Sequence, residues 1–244
     1  MKVQEFDYKD YEKVFFVGDL HGHFSNFFQK IKSLSNAVII VCGDIGLGFT
    51  QGVYTTSCSF DLMSRVAVEN NLQVLLIRGN HDDPKMFTGE EFVSNFRTIP
   101  DYSIVIVKYA TILCIGGGIS IDRMQRRIGT SYWPGETVKG LTVNLFEELR
   151  FYKPSICASH ISPSCTFPHI DSPILLNWMS VDKNLRWEID QERNYLQEVY
   201  DRFPSIKNWY FGHYHSSFYE FDTDRNTSFY ALTIDEIREH EFTD

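Results

Sequence analysis

The sequence predicts an α/β protein with a mostly parallel sheet, on three observations. Apolar runs typical of strands alternate with helical spacing through residues 14–77, which is the β-α-β-α-β order of a parallel sheet. Further apolar runs after residue 103 indicate a second sheet. Polar side chains able to bind metal ions follow most of these runs, at the strand ends where ligand sites commonly form.

The elements of the first part follow from the spacing of its apolar residues. We predict strands at 14–17, 38–42 and 72–77, because each is a short apolar run of strand length. Apolar residues recur at helical spacing between 24 and 34, and again between 62 and 66. Helices are therefore expected between the strands, packed against the sheet.

The second part indicates a sheet that is richer in antiparallel pairs. Runs at 103–107 and 111–115 are separated by three residues, which predicts a hairpin. Further strands are predicted at 156–158, 209–211, 217–221 and 229–233. Helical spacing predicts helices over 141–149 and 196–203.

The chain is predicted to form one domain, residues 1–244. That length is ample for one large core, and no repeat or linker interrupts it. Residues 161–187 contain three prolines and no convincing period. Because long irregular segments in compact domains are commonly functional, we predict that 161–187 is a loop over the functional site.

The composition limits which cellular compartment and which binding partners we expect. The formal net charge is −9 and no basic run exceeds Arg126-Arg127, so general nucleic-acid binding is not favoured, although it is left open. The five cysteines form no C-x-x-C pair, which argues against a disulfide scaffold or a Cys-ligated zinc site. No signal peptide is evident and no apolar run approaches the ~20 residues that cross a membrane. We expect a cytoplasmic protein without a membrane partner.

Seven residues offer oxygen or nitrogen ligands near the ends of apolar runs: Asp19, His21, Asp44, Asn80, His160, His213 and His215. In extended backbone, alternate side chains point the same way, so Asp19 and His21 could reach one ion, and His213 and His215 repeat the pattern. An oxygen and nitrogen set without sulfur favours Mn, Fe, Zn, Co or Ni over Ca or Mg, and Mn is the first expectation. Seven ligands are too many for one tetrahedral ion, so we predict two ions that share Asp44.

These residues lie in five motifs that resemble the signature of the calcineurin-like metallophosphoesterases. The blocks D-x-H, G-D, G-N-H-[DE], a lone His and G-H-x-H occur in order as Asp19-Leu20-His21, Gly43-Asp44, Gly79-Asn80-His81-Asp82, His160 and Gly212-His213-Tyr214-His215. Each block alone is a weak signal, but five in order across residues 14–215 are specific.

The resemblance implies a four-layer α/β/β/α sandwich of two mixed sheets with a two-metal site. One ion would be bound by Asp19, His21, Asp44 and His215, and the other by Asp44, Asn80, His160 and His213. His81 matches the family's catalytic histidine, and Asp82 matches the carboxylate that orients it and would keep it protonated. Two ions about 3.5–4 Å apart can activate water directly, so no covalent enzyme intermediate is expected.

The chain departs from the family's Ser/Thr protein phosphatases. Those continue the second block as G-D-x-x-D-R-G, whereas residues 43–49 here lack the phosphate-binding Arg. Arg123 and Arg126 are candidate replacements, because a guanidinium binds phosphate oxygens in a fork geometry. Residues 132–136 resemble a stretch of bacterial and phage members, and we expect a structural clasp there rather than part of the substrate wall.

The predicted function is a two-metal hydrolase of phosphate mono- or diesters, with His81 assisting the leaving group. The expected partner is a small phosphorylated substrate, a nucleotide among the options. Two alternatives remain at this point. One is a metal-dependent nuclease of the same superfamily, and the other is a non-catalytic scaffold that is stabilised by its metals.

Overall fold

The computed structural model describes residues 2–49 and 57–242, which form two stacked sheets with helices on both outer sides. In chain order the strands are β1 (Glu5–Tyr8), β2 (Lys13–Val17), β3 (Ala37–Val41), β4 (Leu72–Ile77), β5 (Glu91–Val93), β6 (Phe96–Ile99), β7 (Ser103–Val107), β8 (Ala110–Ile115), β9 (Ile156–Ser159), β10 (Asn208–Phe211), β11 (Phe218–Asp222), β12 (Thr227–Ala231) and β13 (Ile237–His240). The helices are α1 (Phe24–Ile31), α2 (Ser57–Glu69), α3 (Val143–Leu149), α4 (Pro173–Val181) and α5 (Leu185–Arg202).

The first sheet has the strand order β13-β2-β3-β4-β6-β5. Its four central strands are parallel, while β13 and β5 pair antiparallel at the two edges. The second sheet has the order β1-β7-β8-β9-β10-β12-β11. It contains the predicted hairpin of β7 and β8, together with the parallel neighbours β8, β9 and β10.

Side chains that point alternately to the two faces of each strand pack one face of the sheet on the helices and the other face on the second sheet. In β2, Phe15 and Val17 face α1 and α2, whereas Val14 and Phe16 face the second sheet. Because successive side chains of a strand point to opposite faces, a strand buried on both sides is apolar throughout. The sheets meet where the ring of Phe16 stacks on Tyr210, with 3.9 Å between the ring centroids. Helices α3 and α5 cover the outer face of the second sheet.

The predicted α/β class and the two mixed sheets are confirmed, but one topological expectation is wrong. The second sheet is not richer in antiparallel pairs, since β1 also pairs parallel with β7 and β10 pairs parallel with β12. Apolar run lengths cannot distinguish the two kinds of pairing when both faces of a sheet are buried.

The segment 161–187 differs from the loop that its irregular sequence predicted. It contains α4 and the beginning of α5. The hydroxyl of Ser172 accepts a hydrogen bond from the Leu175 N–H at 3.1 Å, and Pro173 occupies the first turn, where its missing N–H costs nothing. Helix α4 is apolar on several sides, so its sequence carries no period that would reveal a helix.

None of the helices that the structure describes combines the length and the apolar composition needed to cross a membrane.

Candidate metal centre

The predicted ligands lie just beyond the carboxyl ends of neighbouring strands. Asp19 follows β2, Asp44 follows β3 and Asn80 follows β4, while His160 and His213 follow β9 and β10 of the second sheet. Parallel strands end at the same edge, so residues far apart in sequence meet there. All seven predicted ligands lie in this one cluster, and it divides into two ligand sets.

The first ligand set consists of Asp19, His21, Asp44 and His215. Nε2 of His21 lies 3.4 Å from Oδ2 of Asp19 and 3.4 Å from Oδ2 of Asp44. Nε2 of His215 lies 3.1 Å from Oδ2 of Asp19 and 2.8 Å from Nε2 of His21. Burial would raise the pKa of Asp19, but hydrogen bonds from His21 and His215 hold it well below the usual range.

The second ligand set consists of Asp44, Asn80, His160 and His213. Oδ1 of Asn80 lies 3.1 Å from Nε2 of His160 and 3.1 Å from Nδ1 of His213. Nε2 of His160 lies 3.4 Å from Oδ1 of Asp44. Burial lowers the pKa of His213 to about 3, so its imidazole is neutral at pH 7, as a metal ligand must be.

Asp44 is shared because its two oxygens face different sets, Oδ2 towards His21 and Oδ1 towards His160. Burial opposes ionisation, but the nearby His160, His81 and His21 lower the pKa of Asp44 to about 2. A Cβ on Gly79 would lie 2.1 Å from Oδ1 of Asp44, so only glycine leaves room for this carboxylate. The glycine that precedes Asn80 therefore has a direct steric role.

The spacing of the ligand atoms fits divalent ions. Atoms bound about 2.1 Å from one ion lie roughly 3.0–3.4 Å apart in octahedral or tetrahedral geometry. The contacts within each set fall at 2.8–3.4 Å. The buried Oδ2 of Asp19 faces Nε2 of both His21 and His215, as a shared cation would require. The residues present thus fit a pair of cations.

Hydrogen bonds from outside the sets orient the ligand atoms. Nδ1–H of His160 donates to the carbonyl of Cys42 at 2.7 Å, which leaves Nε2 free to bind a metal. The backbone N–H of His213 donates to Oδ1 of Asp19 at 2.8 Å, which leaves Oδ2 facing His21 and His215. In each of these two ligands, one polar side-chain atom is hydrogen-bonded to the backbone and the other points into the metal centre.

Several ligands have left-handed backbone instead of the extended backbone expected from sequence. His21, Asp44, His213 and His215 have φ of +43°, +50°, +68° and +50°. Such conformations cost non-glycine residues of order 1–3 kcal/mol each and cluster at functional sites. The turn sends His213 and His215 into different ligand sets, the division that the family resemblance implied, whereas extended backbone would have let both reach one ion.

Comparison with known families agrees with this geometry. A family model described as calcineurin-like phosphoesterase matches residues 12–217. The chain belongs to the calcineurin-like phosphoesterase family. Members of this family are phosphoesterase hydrolases. The cluster of Asp and His side chains is this chain's candidate site for divalent metals. The sequence resemblance and the sandwich fold that it implied are thereby confirmed.

Comparisons with individual proteins add little to the family assignment. No curated protein matches the chain. A solved structure of a mutant cold-active protein tyrosine phosphatase aligns with 98% of this chain and 78% of its own, at 14% identity and a TM-score of 0.43. At that score the likeness does not support an argument about fold or activity.

His81, which matches the family's catalytic histidine, borders the shared carboxylate. Its Nε2 lies 4.0 Å from Oδ2 of Asp44, and its backbone N–H donates to Oδ1 of Asp44 at 2.8 Å. Phe49 stacks on the imidazole, with ring centroids 5.0 Å apart. Burial and the neighbouring charge of Arg126 lower the pKa of His81 to about 4, so the imidazole is neutral at pH 7.

Asp82, which matches the family's orienting carboxylate, is buried among backbone N–H groups. Its buried carboxylate accepts hydrogen bonds from the backbone N–H groups of Ile45, Gly46, Leu47 and Gly79, at 2.7–3.2 Å. Burial and the nearby Asp44 raise the pKa of Asp82 to about 6. Asp82 therefore ties the loop after Asp44 to the loop that contains Asn80.

The two candidate arginines have different surroundings. The guanidinium of Arg123 is bound by Asp182, at 2.7 Å, and by Glu188, away from the ligand sets. Nη2 of Arg126 instead lies 2.9 Å from Nε2 of His81. Of the two predicted substrate contacts, the structure therefore brings only Arg126 to the metal centre.

A buried clasp holds the segment that contains Arg126. Arg78, only 3% exposed, pairs with Asp101 at 2.6 Å and donates to the carbonyl of Glu136. The carboxylate of Glu136 accepts the N–H of Ser120 at 2.7 Å, and Oγ of Ser120 accepts from Asn80 at 3.2 Å. Glu136, from the stretch 132–136 where a clasp was expected, thus takes part in this clasp, while Tyr132 of the same stretch lines a groove. Sequence reasoning missed Arg78 and Ser120, although Arg78 directly precedes the Gly79-Asn80 motif.

Proposed function

We propose that the protein hydrolyses phosphate mono- or diesters at a centre of two divalent ions. The observation that carries this proposal is the division of the seven ligands into two sets that share Asp44. A bridging carboxylate is the arrangement expected when two ions lie close together and act on one phosphoryl group. Family membership supports the same reaction class.

The residues that would hold the ions indicate which metals suit them. Both sets combine carboxylate or amide oxygens with imidazole nitrogens and lack sulfur, which favours manganese first, with iron, zinc, nickel or cobalt as alternatives. Ions bound there would supply Lewis-acid activation of water and of the phosphoryl oxygens. The protein need supply no nucleophile of its own, so the proposal includes no covalent enzyme intermediate.

His81 and Arg126 would act on the leaving group. Nε2 of the imidazole lies 4.0 Å from the shared carboxylate and accepts from Nη2 of Arg126 at 2.9 Å, so Nε2 could donate a proton to a leaving oxygen only in the tautomer formed when Arg126 turns to that oxygen. Since His81 is neutral at pH 7, positive charge must come from elsewhere, and the guanidinium of Arg126 at 2.9 Å supplies it permanently. We assign His81 to hydrogen bonding of the leaving oxygen and Arg126 to its charge.

The proposed substrate is a small phosphorylated molecule, and the proposed compartment is the cytoplasm. Cys42, Cys114, Cys157 and Cys165 are unpaired thiols, which suits a reducing compartment, while the side chain of Cys58 lies outside the described part.

Turnover of two chromogenic esters tests the proposal. Protein loaded with Mn²⁺ is assayed with p-nitrophenyl phosphate, a monoester, and bis-p-nitrophenyl phosphate, a diester. We expect metal-dependent turnover of at least one ester. Asp44→Asn or His213→Ala should abolish it, and elemental analysis should find fewer bound ions than in the unmodified protein. His169→Ala, a variant of a histidine paired with Glu220, is the matched control.

Each outcome has a definite meaning. Near-normal turnover in both ligand variants would refute the two-metal mechanism. Binding of two ions without turnover of any ester would favour the metal-stabilised scaffold. Cleavage of single-stranded DNA in preference to both esters would favour the nuclease.

A further inference from the structure

A groove of about 530 Å³ opens next to the metal centre. Its walls include Met124, Ile128 and Tyr132 on one segment, and Asp182 and Asn184 before α5. The volume falls in the range of small-molecule sites, about 300–1,000 Å³. We infer that this groove binds the organic part of the phosphoester, and that a nucleoside is the moiety that fits. The inference rests on the proposed function.

Arg126 connects the groove with the metal centre. Its side chain lines the groove, while Nη2 reaches to 2.9 Å from Nε2 of His81. Nε2 of His81 in turn lies 4.0 Å from Oδ2 of the shared Asp44. A phosphoryl group at the ligand sets could therefore contact the guanidinium while the rest of the ester extends into the groove. One residue borders both parts of the substrate.

The charges of the groove are already paired, which points to a neutral occupant. Arg123 is bound by Asp182 and Glu188, and Nε of Arg126 pairs with Asp122 at 2.6 Å. A polyanion gains affinity from unpaired basic side chains, and these arginines have acidic partners. The groove therefore suits an uncharged group attached to a single phosphate better than a stretch of nucleic acid.

The walls offer both stacking surface and hydrogen bonds. Met124 and Ile128 are 64% and 70% exposed, so a bound ring would remove apolar surface from water. Tyr132 adds an aromatic ring, and thioether and aromatic groups pack well on flat rings. Asn184 makes no capping hydrogen bond at the start of α5, and a carboxamide can pair with the edge of a base.

Two esters with the same leaving group test the groove. Thymidine 5′-(p-nitrophenyl) phosphate and methyl p-nitrophenyl phosphate both release p-nitrophenolate, but only the first carries a nucleoside. We expect the Mn²⁺-loaded protein to prefer the nucleoside ester. The double variant Ile128→Ala/Asn184→Ala should lower kcat/KM for that ester about tenfold, through KM, and change the methyl ester by less than about twofold.

The matched control is Val143→Ala/Asn177→Ala. Val143 is 71% exposed and Asn177 is also exposed, yet neither lines the groove. We expect this variant to treat both esters as the unmodified protein does. Equal losses for the two esters in the groove variant, no loss for either, or no preference for the nucleoside ester in the unmodified protein would overturn the inference.

A binding measurement separates failure of the groove from failure of the proposed function. Calorimetric titration of the Mn²⁺-loaded protein with thymidine, the uncharged nucleoside, should detect binding that Ile128→Ala/Asn184→Ala weakens and the control does not. Such binding without turnover of either ester would refute the proposed hydrolysis and leave the groove supported. Turnover without this binding difference would refute the groove alone.

Discussion

Nη2 of Arg126 lies 2.9 Å from Nε2 of His81, so a permanent positive charge borders the imidazole next to the shared carboxylate. The guanidinium is fixed from two other sides. Its Nε pairs with Asp122 at 2.6 Å, and its Nη1 donates to Oγ of Ser120 at 2.9 Å. A side chain held in this way loses little additional freedom when it contacts a phosphoryl group.

Removal of that charge should impair turnover more than it impairs folding. We expect Arg126→Ala to lower kcat/KM about 100-fold, the usual effect of removing one charge-stabilising donor, and Arg126→Lys to recover only part of it because Lys lacks the fork. Steady-state kinetics with a p-nitrophenyl ester provide the measurement. Arg127→Ala, a variant of the exposed neighbour, is the control. An Arg126→Ala enzyme with unchanged kinetics would exclude a role for this guanidinium.

The fit between Gly79 and Asp44 makes a sharp steric prediction. The new methyl group of Gly79→Ala would lie 2.1 Å from Oδ1 of Asp44 and must displace the shared carboxylate. We expect bound manganese, measured by elemental analysis, to fall from two ions per chain to one or none. Gly135→Ala is the matched control, since a Cβ there meets nothing within 4 Å. Full metal loading of Gly79→Ala would show that the carboxylate does not need this space.

A buried glutamate should make stability depend on pH. Glu192, 3% exposed on α5, accepts the N–H of Ile119 at 3.1 Å, and burial raises its pKa from 4.5 to about 8. Between these values the folded state retains a proton that the unfolded state has released. The contribution of Glu192 to the free energy of unfolding therefore falls as pH rises from 4.5 to 8.

Glu192→Gln removes the ionisation and keeps an oxygen for Ile119. We expect urea unfolding to find the variant more stable than the unmodified protein at pH 9, by up to about 5 kcal/mol, and nearly equal at pH 4. Glu198→Gln alters a half-exposed carboxylate on the same helix and should have little effect at either pH. An equal pH dependence in the Glu192→Gln variant would contradict the assignment.

Bound metal ions should increase the free energy of unfolding, in addition to their proposed part in the reaction. The ligands His21, Asp44, His213 and His215 are held in left-handed backbone, which ions bound to the folded state would help to maintain. A free concentration 100 times the Kd adds about 2.7 kcal/mol, so Mn²⁺ should raise the melting temperature and a chelator should reverse the rise. Asp44→Asn should lose most of this increment. An equal response of that variant would locate the bound metal elsewhere.

The sequence predicted the ligand residues more completely than it predicted the helices and strands around them. Ligands such as Asp19 and Asn80 were identified because each stands at the end of an apolar run, and the structure gathers all seven. Helix α4 was missed because its apolar surface lacks a period, and β5 and β6 because Glu91–Val93 and Phe96–Ile99 are short. Short elements are defined by their neighbours in the sheet, which local sequence does not reveal.

Residue roles that depend on contacts between distant segments of the chain could not be predicted from the sequence. Arg123 and Arg126 are three residues apart in one basic segment, and only the packed structure shows that Asp182 and Glu188 bind the first while the second reaches His81. Asp82 likewise accepts four backbone N–H groups from two loops, a role that a motif of four letters cannot reveal.

The sequence by itself determined the inventory of this protein: its α/β class, its family motifs, and the seven oxygen and nitrogen ligands in order along the chain. Those properties depend on residue type and on spacing along the chain, both of which are local features of the sequence. The tertiary structure decided how the ligands divide, which arginine meets His81, and where a groove opens beside them. These depend on contacts between segments as far as 196 positions apart, such as that of Asp19 with His215, and only packing and loop geometry specify such contacts.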